Sequence, residues 1–187
     1  MAAHVCPWWS VWFTINNPLR RLVHDPPRIV GPYVKPGMAV MDVGCGAGWF
    51  SIPMARMVGD QGRVIAVDLQ PQMLDMVRRR AEKAGVAARI TAHLCQPDRF
   101  GLDAHADFAL AFAMVHEVPD PNRLFAEIYG CLNNGGKLLV AEPPLHVPSG
   151  MFANEIAAAK QVGFRVVAQP RVRWSRAAVF EKVTGPL

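Results

Sequence analysis

The stretch that decides the fold is Met-Ala-Val-Met-Asp-Val-Gly-Cys-Gly-Ala-Gly-Trp, residues 38–49. Its first half, Met38 to Val43, is a nearly unbroken apolar run, which predicts a strand buried on both faces of a parallel sheet. Its second half places glycine at every other position from Gly44 to Gly48. Glycines there allow a tight turn and let a ligand approach the backbone closely. Because a short helix is predicted from Phe50 to Val58, this loop joins a strand to a helix.

The loop departs from the dinucleotide-binding pattern GxGxxG, which would need a small residue where this chain has Trp49. The observed GxGxG spacing therefore argues against pyrophosphate binding. Twenty residues after Gly48 comes Asp68, at the end of the second predicted strand, Arg63 to Val67. A carboxylate at that place can accept hydrogen bonds from both hydroxyls of a ribose. The alternative is that the glycines and the acid serve turn chemistry alone.

Beyond this unit the chain continues to alternate strand and helix patterns. The further predicted elements are a helix from Pro71, a strand over Ala88–Cys95, a strand over Phe108–Val115, a helix capped by Asp120 and stopped by 133–136, a strand over Lys137–Ala141, a helix with Phe152, Ile156, Ala159 and Val162 inward, and strands over Phe164–Ala168 and Ala177–Lys182. The last two strands follow each other through a short polar link, so they should pair antiparallel. We therefore predict an α/β fold: a doubly wound, mostly parallel seven-stranded sheet with a C-terminal antiparallel hairpin, and a ligand beyond the carboxyl ends of its strands.

Four motifs carry a resemblance to a known family. They are 42–48 (DVGCGAG), 67–74 (VDLQPQML), 116–120 (HEVPD) and 132–143 (LNNGGKLLVAEP). At these residues the chain resembles the class I S-adenosylmethionine-dependent methyltransferases, and in particular the small-molecule branch of the ubiquinone/menaquinone methyltransferases. The resemblance extends over about residues 34–182. It implies the Rossmann-like methyltransferase fold, with residues 34–187 as the domain that binds S-adenosylmethionine.

The resemblance also implies a role for individual positions. Asp42 and the backbone of the loop glycines would hold the methionine portion of the cofactor, Asp68 the ribose hydroxyls, and Leu69 and Met73 the adenine face. The full set of expected cofactor-binding residues is Asp42, Gly44, Cys45, Gly46, Gly48, Asp68, Leu69, Met73, Gln96, Pro97 and Ala113.

Two positions depart from the family pattern. Family members often place an acid after the third strand to accept a hydrogen bond from the adenine amino group, whereas this chain has Gln96, whose amide oxygen can still accept one. The common Pro-Gly-Gly before the fifth strand is replaced by Asn134-Gly135-Gly136, which leaves the turn feasible.

The candidate catalytic residue is His116, after the fourth strand. Methyl transfer from a sulfonium mainly needs the reacting atoms held in line, and a base is required only if the acceptor must lose a proton. We predict His116 as that base, since an imidazole with an unperturbed pKa of about 6.5 accepts a proton at neutral pH. The alternative is that His116 packs the following loop. Glu117, Glu142 and His146 are expected nearby.

The first 33 residues differ in character from the rest of the chain. Trp8, Trp9 and Trp12 crowd one short stretch, and several prolines interrupt the residues after it. We expect residues 1–33 to form an aromatic-rich arm that covers the mouth of the site as a lid. An arm packed on the outer surface of the core is the alternative.

Composition narrows the function classes further. The chain of 187 residues suits one domain. Its most apolar stretch, Val5 to Ile15, is too short to span a bilayer and follows no basic residue, so we expect a cytoplasmic protein. The 4 cysteines form no CxxC pair, which indicates reduced thiols and no metal site.

The excess of basic over acidic residues indicates the binding partner less strongly than the motifs do. The formal net charge of +5 suits acidic partners, but no run of five basic residues concentrates it, and Arg78–Arg80 is expected to be a solvated helix face. We therefore expect a methyltransferase with a small-molecule acceptor, no nucleic-acid partner and a homodimeric state. An RNA methyltransferase and a non-catalytic cofactor-binding subunit remain the alternatives.

Overall fold

The computed structural model describes residues 23–97 and 99–183, which form one seven-stranded sheet in the order β3-β2-β1-β4-β5-β7-β6. The strands are β1 (Ala39–Val43), β2 (Arg63–Asp68), β3 (Ile90–Leu94), β4 (Ala106–Phe112), β5 (Leu132–Glu142), β6 (Phe164–Ala168) and β7 (Arg176–Lys182). The first five strands pair in parallel. Strand β7 runs antiparallel to both β5 and β6. The predicted α/β sheet with its closing hairpin is confirmed.

Helices cover both faces of the sheet. They are α1 (Pro26–Val30), α2 (Ser51–Val58), α3 (Pro71–Lys83), α4 (Pro121–Cys131) and α5 (Ser149–Val162), with 3₁₀ turns at Ala87–Arg89 and Val115–Glu117. Proline stands in the first turn of α3 and α4, as predicted, and the Asp120 carboxylate caps α4 by accepting a hydrogen bond from Arg123 N at 3.2 Å. Among these described helices, none has the length and apolarity needed to cross a membrane.

Strand β1 explains why its sequence is almost wholly apolar. All five of its residues are buried, because helices pack on both sides of it. Met41 and Val43 face the layer of α4 and α5, and Val40 faces the layer of α1 and α2. The one acid of the strand, Asp42, lies near its carboxyl end, where the sheet opens towards the candidate site.

The described end of the predicted arm, with α1, packs against the core together with Val34. Val30 and Val34 are 0% and 3% exposed and pack with Met54 and Val58 of α2. Residues 26–34 therefore stabilise the sheet on the α2 side. The tryptophan cluster of the arm lies outside the described residues, and its role as a lid stays a prediction.

Two strand boundaries differ from the sequence prediction by three residues or more. Strand β4 ends at Phe112, because Ala113 adopts a left-handed φ of 54° and turns the chain away. Strand β5 begins at Leu132 and includes residues 133–136, which we predicted as a turn. These residues form a wide irregularity in the pairing with β4, and Gly135, with a φ of 75°, keeps the turn geometry inside it.

Candidate functional site

A cavity of about 360 Å³ lies beyond the carboxyl ends of β1, β2 and β4. Strand β1 pairs with β2 on one side and β4 on the other, so the order of the strands reverses here. Such a switch point is where doubly wound sheets bind ligands. Of the eleven expected cofactor-binding residues, ten line this cavity: Asp42, Gly44, Cys45, Gly46, Asp68, Leu69, Met73, Gln96, Pro97 and Ala113.

The glycines of the loop have different functions. Gly44 has a φ of 66°, and a Cβ there would lie 3.0 Å from the Cβ of Met114, so a side chain would be both strained and crowded. Gly48 does not line the cavity. A Cβ on Gly48 would lie 3.2 Å from Cγ2 of Val77, so this third glycine allows the loop to pack against α3.

Asp68 is the buried acid that organises the cavity. Only 8% of it is exposed, and its two carboxylate oxygens accept hydrogen bonds from Gly46 N at 2.8 Å and Gln70 N at 2.9 Å. Burial raises the pKa of Asp68, and the backbone hydrogen bonds oppose that rise. Each oxygen has a second lone pair, so Asp68 can still accept hydrogen bonds from two ligand hydroxyls.

The far wall of the cavity is largely apolar. Leu69 and Met73 face it from the turn after β2 and from α3, and Phe100 faces it from the segment after β3. The backbone of Phe100 is fixed at both ends: its N–H donates to Glu127 Oε2 at 2.9 Å, and its carbonyl lies 2.6 Å from His93 Nε2. A flat heterocycle suits such a wall. We did not predict Phe100 or Glu127, since neither belongs to a motif.

Gln96 lies where the resemblance places it. It lines the cavity and forms an isolated bridge with Arg99, through Gln96 N to Arg99 O at 2.9 Å and the reverse bond at 3.3 Å. This small loop fixes the backbone around Pro97 at the edge of the apolar wall. The backbone of Gln96 is therefore held at the cavity wall, and the replacement of the family's acid by its amide stays a prediction.

The sequence profile of the methyltransferase domain family matches residues 40–136, more than half of the chain. The chain belongs to this family. The matched residues run from β1 through the glycine loop, Asp68 and α4 into β5, so they contain most of the cavity wall. The family match confirms the predicted resemblance to the class I S-adenosylmethionine-dependent methyltransferases.

Individual relatives agree with the family match. The chain is 31% identical over 111 residues to the ubiquinone/menaquinone biosynthesis C-methyltransferase UbiE of Vibrio campbellii, covering 58% of this chain and 42% of that protein. The chain thus spans less than half the length of the curated relatives it matches.

Solved structures share the fold of this chain, among them one from Aquifex aeolicus and one from Aeropyrum pernix. A SAM-dependent methyltransferase from Aquifex aeolicus superposes with a TM-score of 0.86 at 22% identity, covering 96% of this chain and 100% of the other. Aeropyrum pernix fibrillarin, solved with natively bound S-adenosyl-L-methionine, has a TM-score of 0.62 at 20% identity, covering 79% of this chain and 68% of its own.

One wall of the cavity is aromatic. The ring of Phe112 lies 4.7 Å from the ring of Phe50 and 4.9 Å from that of His24. Trp49, which also lines the cavity, donates a hydrogen bond from its indole to the carbonyl of His24 at 3.2 Å. The described region therefore begins beside this aromatic wall, and the role of the arm as a lid stays a prediction.

The predicted base does not lie in this cavity. His116 lines an adjoining cavity of about 290 Å³, and its Nδ1 makes a short hydrogen bond to the carboxylate of Glu142. Glu142 is fully buried at the end of β5 and also accepts hydrogen bonds from the backbone N–H groups of Met114 and Val115 at 3.1 and 2.8 Å. The hydrogen bond to Glu142 raises the pKa of His116. Glu142 therefore ties the turn after β4 to β5, a role that sequence reasoning missed.

One arginine of the expected solvated face braces the loop. Arg80 is half-buried, and its guanidinium donates a hydrogen bond to the carbonyl of Ala47 at 2.8 Å. Burial lowers the pKa of Arg80. The prediction of a solvated face is wrong for this residue, because the last turns of α3 pass beneath the glycine loop.

Proposed function

We propose that this protein is an S-adenosylmethionine-dependent methyltransferase that acts on a small-molecule acceptor. The observation that carries the proposal is the cavity at the switch point, where the buried Asp68 carboxylate and the glycine loop meet. The family match supports the activity. The curated relative named for ubiquinone/menaquinone biosynthesis supports the small-molecule class of the acceptor.

The residues present fit the cofactor. Asp68 offers two oriented oxygens to a ribose, and Leu69, Met73 and Phe100 offer an apolar wall to adenine. Gly44 lines the cavity and has no side chain, so a ligand can approach its backbone. A Cβ at this position would lie 3.0 Å from the Cβ of Met114. The volume of about 360 Å³ lies within the range of small-molecule sites, which is roughly 300–1,000 Å³.

When bound, S-adenosylmethionine supplies a methyl carbon activated by a sulfonium. The chain contributes binding and orientation. Asp42 and Glu117 place carboxylates on the cavity wall, where their charge favours a cationic ligand. The left-handed backbone at Ala113, held by a 2.7 Å hydrogen bond from its N–H to the carbonyl of Ala141, fixes the shape of the wall after β4. Orientation of this kind can supply roughly 7–11 kcal/mol of a displacement barrier.

A role of His116 as the base depends on the acceptor. The imidazole lines the adjoining cavity, and Val118 lines both cavities. His116 can therefore take a proton only from an acceptor that extends past Val118 towards the 3₁₀ turn. The predicted homodimer also stays a prediction.

Two measurements test the proposal. Calorimetric titration with S-adenosylhomocysteine, the demethylated product, should give micromolar affinity, and no binding would overturn the cofactor assignment. A screen of small-molecule acceptors with isotope-labelled S-adenosylmethionine should then reveal transfer. Binding without transfer to any acceptor would favour the non-catalytic subunit, whereas RNA binding that weakens steeply with salt would favour the RNA methyltransferase.

A further inference from the structure

The cavity that adjoins the cofactor site contains an unpartnered buried acid. We name it the α5 cavity; it lies between the 3₁₀ turn after β4 and helices α4 and α5. Its lining residues are Val115, His116, Val118, Pro121, Asn122, Met151, Asn154, Glu155 and Ala158. Glu155 is only 4% exposed, and neither of its carboxylate oxygens has a hydrogen-bond partner within the described residues.

The other buried acids of the described chain all have partners. Asp42 accepts a hydrogen bond from Ser51 Oγ at 2.5 Å, Asp68 accepts two from backbone N–H groups, and Glu142 accepts two such bonds and pairs with His116. An unpaired charge in such a place costs several kcal/mol. Glu155 is therefore the one acid of this set whose hydrogen bonds remain to be supplied from outside the described chain.

Two titratable groups from other elements act on Glu155: Glu142 at the end of β5 and His116 in the 3₁₀ turn. His116 in turn interacts with Glu117, and the ring of His146 lies 5.6 Å from that of His116. The positive charge of protonated His116 and the negative charge of the Glu142 carboxylate cancel each other. An ionised Glu155 therefore gives the cluster a net negative charge. Burial and the charge of Glu142 raise the pKa of Glu155 to about 7, which His116 opposes.

We propose that the α5 cavity is a second ligand site that binds the ammonium group of a small amine through Glu155. The amine would supply the hydrogen-bond donors that both carboxylate oxygens lack. Val118, Met151 and Ala158 offer apolar surface to a short hydrocarbon chain. A metal ion is a poorer match, since no group of three or more metal-ligating His, Cys, Asp or Glu side chains occurs in residues 23–97 and 99–183.

The site is distinct from the cofactor cavity, so its test is independent of methyl transfer. The probe is n-butylamine, which stays protonated between pH 6 and pH 8, with n-butanol and butyrate as uncharged and anionic analogues of similar length. Binding is measured by two-dimensional amide NMR of the full chain. The variants are Glu155→Gln, which removes the charge and keeps the shape, and Glu82→Gln, an exposed acid on α3, as the matched control.

At pH 8, butylammonium should shift the amide resonances of Asn154 and Ala158, which line only the α5 cavity, more than either analogue does. Its affinity should fall about tenfold at pH 6, because protonated Glu155 cannot attract a cation and His116 carries more positive charge there. Glu155→Gln should weaken binding at pH 8 at least tenfold, and Glu82→Gln should not.

Three results would overturn the proposal: no saturable shift at pH 8, equal shifts with butyrate, or undiminished affinity in a folded Glu155→Gln variant. Titration with S-adenosylhomocysteine in the same samples reports the cofactor site separately. A failure of one site is therefore distinguishable from a failure of the other.

Discussion

Asp68 and Glu155 are both buried carboxylates on the walls of adjoining cavities, and burial raises the pKa of each. They differ in their partners. Two backbone N–H groups hold the oxygens of Asp68, whereas the described chain offers none to Glu155. A carboxylate held by backbone donors stays ionised and correctly placed before any ligand arrives. A buried carboxylate without donors destabilises the folded protein when it is ionised, so a ligand must supply the hydrogen-bond donors that it lacks.

The largest expected effect on stability comes from replacing Glu155 with an uncharged residue. Because its folded pKa of about 7 lies above its ordinary value of 4.5, the wild type loses stability as pH rises from about 4.5 to 7. Glu155→Gln should escape this loss. Its free energy of unfolding relative to the wild type should rise by about 2.5 kcal/mol between pH 5 and pH 8.

Urea titrations at the two pH values measure this difference, with Glu82→Gln as the control. A difference that is the same at pH 5 and pH 8 would show that Glu155 finds a partner in the folded protein.

The next-largest effect is expected on cofactor affinity when Asp68 is replaced by asparagine. In Asp68→Asn, the amide nitrogen cannot accept from one of the two backbone N–H groups, and the charge that attracts ribose hydroxyls is lost. Affinity for S-adenosylhomocysteine should fall by about 2 kcal/mol, roughly 30-fold in Kd. Asp75→Asn, an exposed acid paired with Arg78, is the control and should bind normally in calorimetry. Unchanged affinity in Asp68→Asn would remove Asp68 from the cofactor site.

The glycine loop, whose Gly46 N–H donates to Asp68, also packs against α3 at Gly48, and a substitution there tests that packing. Gly48→Ala places a side chain at a φ of 80° and within 3.2 Å of Val77, which should cost about 1–2 kcal/mol of stability. Gly130→Ala in α4 meets nothing within 4 Å and should leave stability unchanged or raise it slightly. Thermal denaturation compares the two variants. An equal melting temperature for both would show that the loop relaxes without cost.

The smallest effect concerns His116, which is hydrogen-bonded to Glu142. Its pKa is raised in the folded state, so its hydrogen bond to Glu142 adds stability below the ordinary pKa of 6.5 and loses that contribution as pH rises through the folded value. His116→Gln should cost about 1 kcal/mol at pH 5.5 and less at pH 9.

The same variant tests the predicted catalytic role. Since His116 does not line the cofactor cavity, we expect kcat to fall less than tenfold once an acceptor is known. A loss of a hundredfold or more, with a missing titration in the pH profile of kcat, would establish His116 as the base.

Sequence patterns predicted the central strands β1, β2 and β4 well because these strands are buried on both faces. Such strands must be apolar throughout, as β1 is, and the polar residues at their ends then mark the site, as Asp68 does. The bulge that carries β5 back to Leu132 was not predictable, since Asn and Gly residues suit a turn and an irregular strand equally.

Residues that act across the fold were harder to predict. Glu142 and Arg80 act on backbone groups 27 and 33 positions away in the chain, and no local pattern records such distances. The buried position of Glu155 could have been recognised in the sequence. Glu155 shares the buried face of α5 with Phe152 and Ala159, where an acid is out of place. Ile156, which we predicted to face inward, is partly buried and packs against the same core, whereas we did not predict that Glu155 is buried beside it.

The position of β7 has a consequence for synthesis. This strand, over residues 176–182, lies between β5 and β6, although it comes after both in the chain. Until these residues leave the ribosome, β5 presents unpaired backbone groups and β6 has no neighbour in the sheet. An exposed edge of that kind is a template for pairing with other chains. The nascent protein is therefore most prone to aggregation just before the last few residues of its sheet are made.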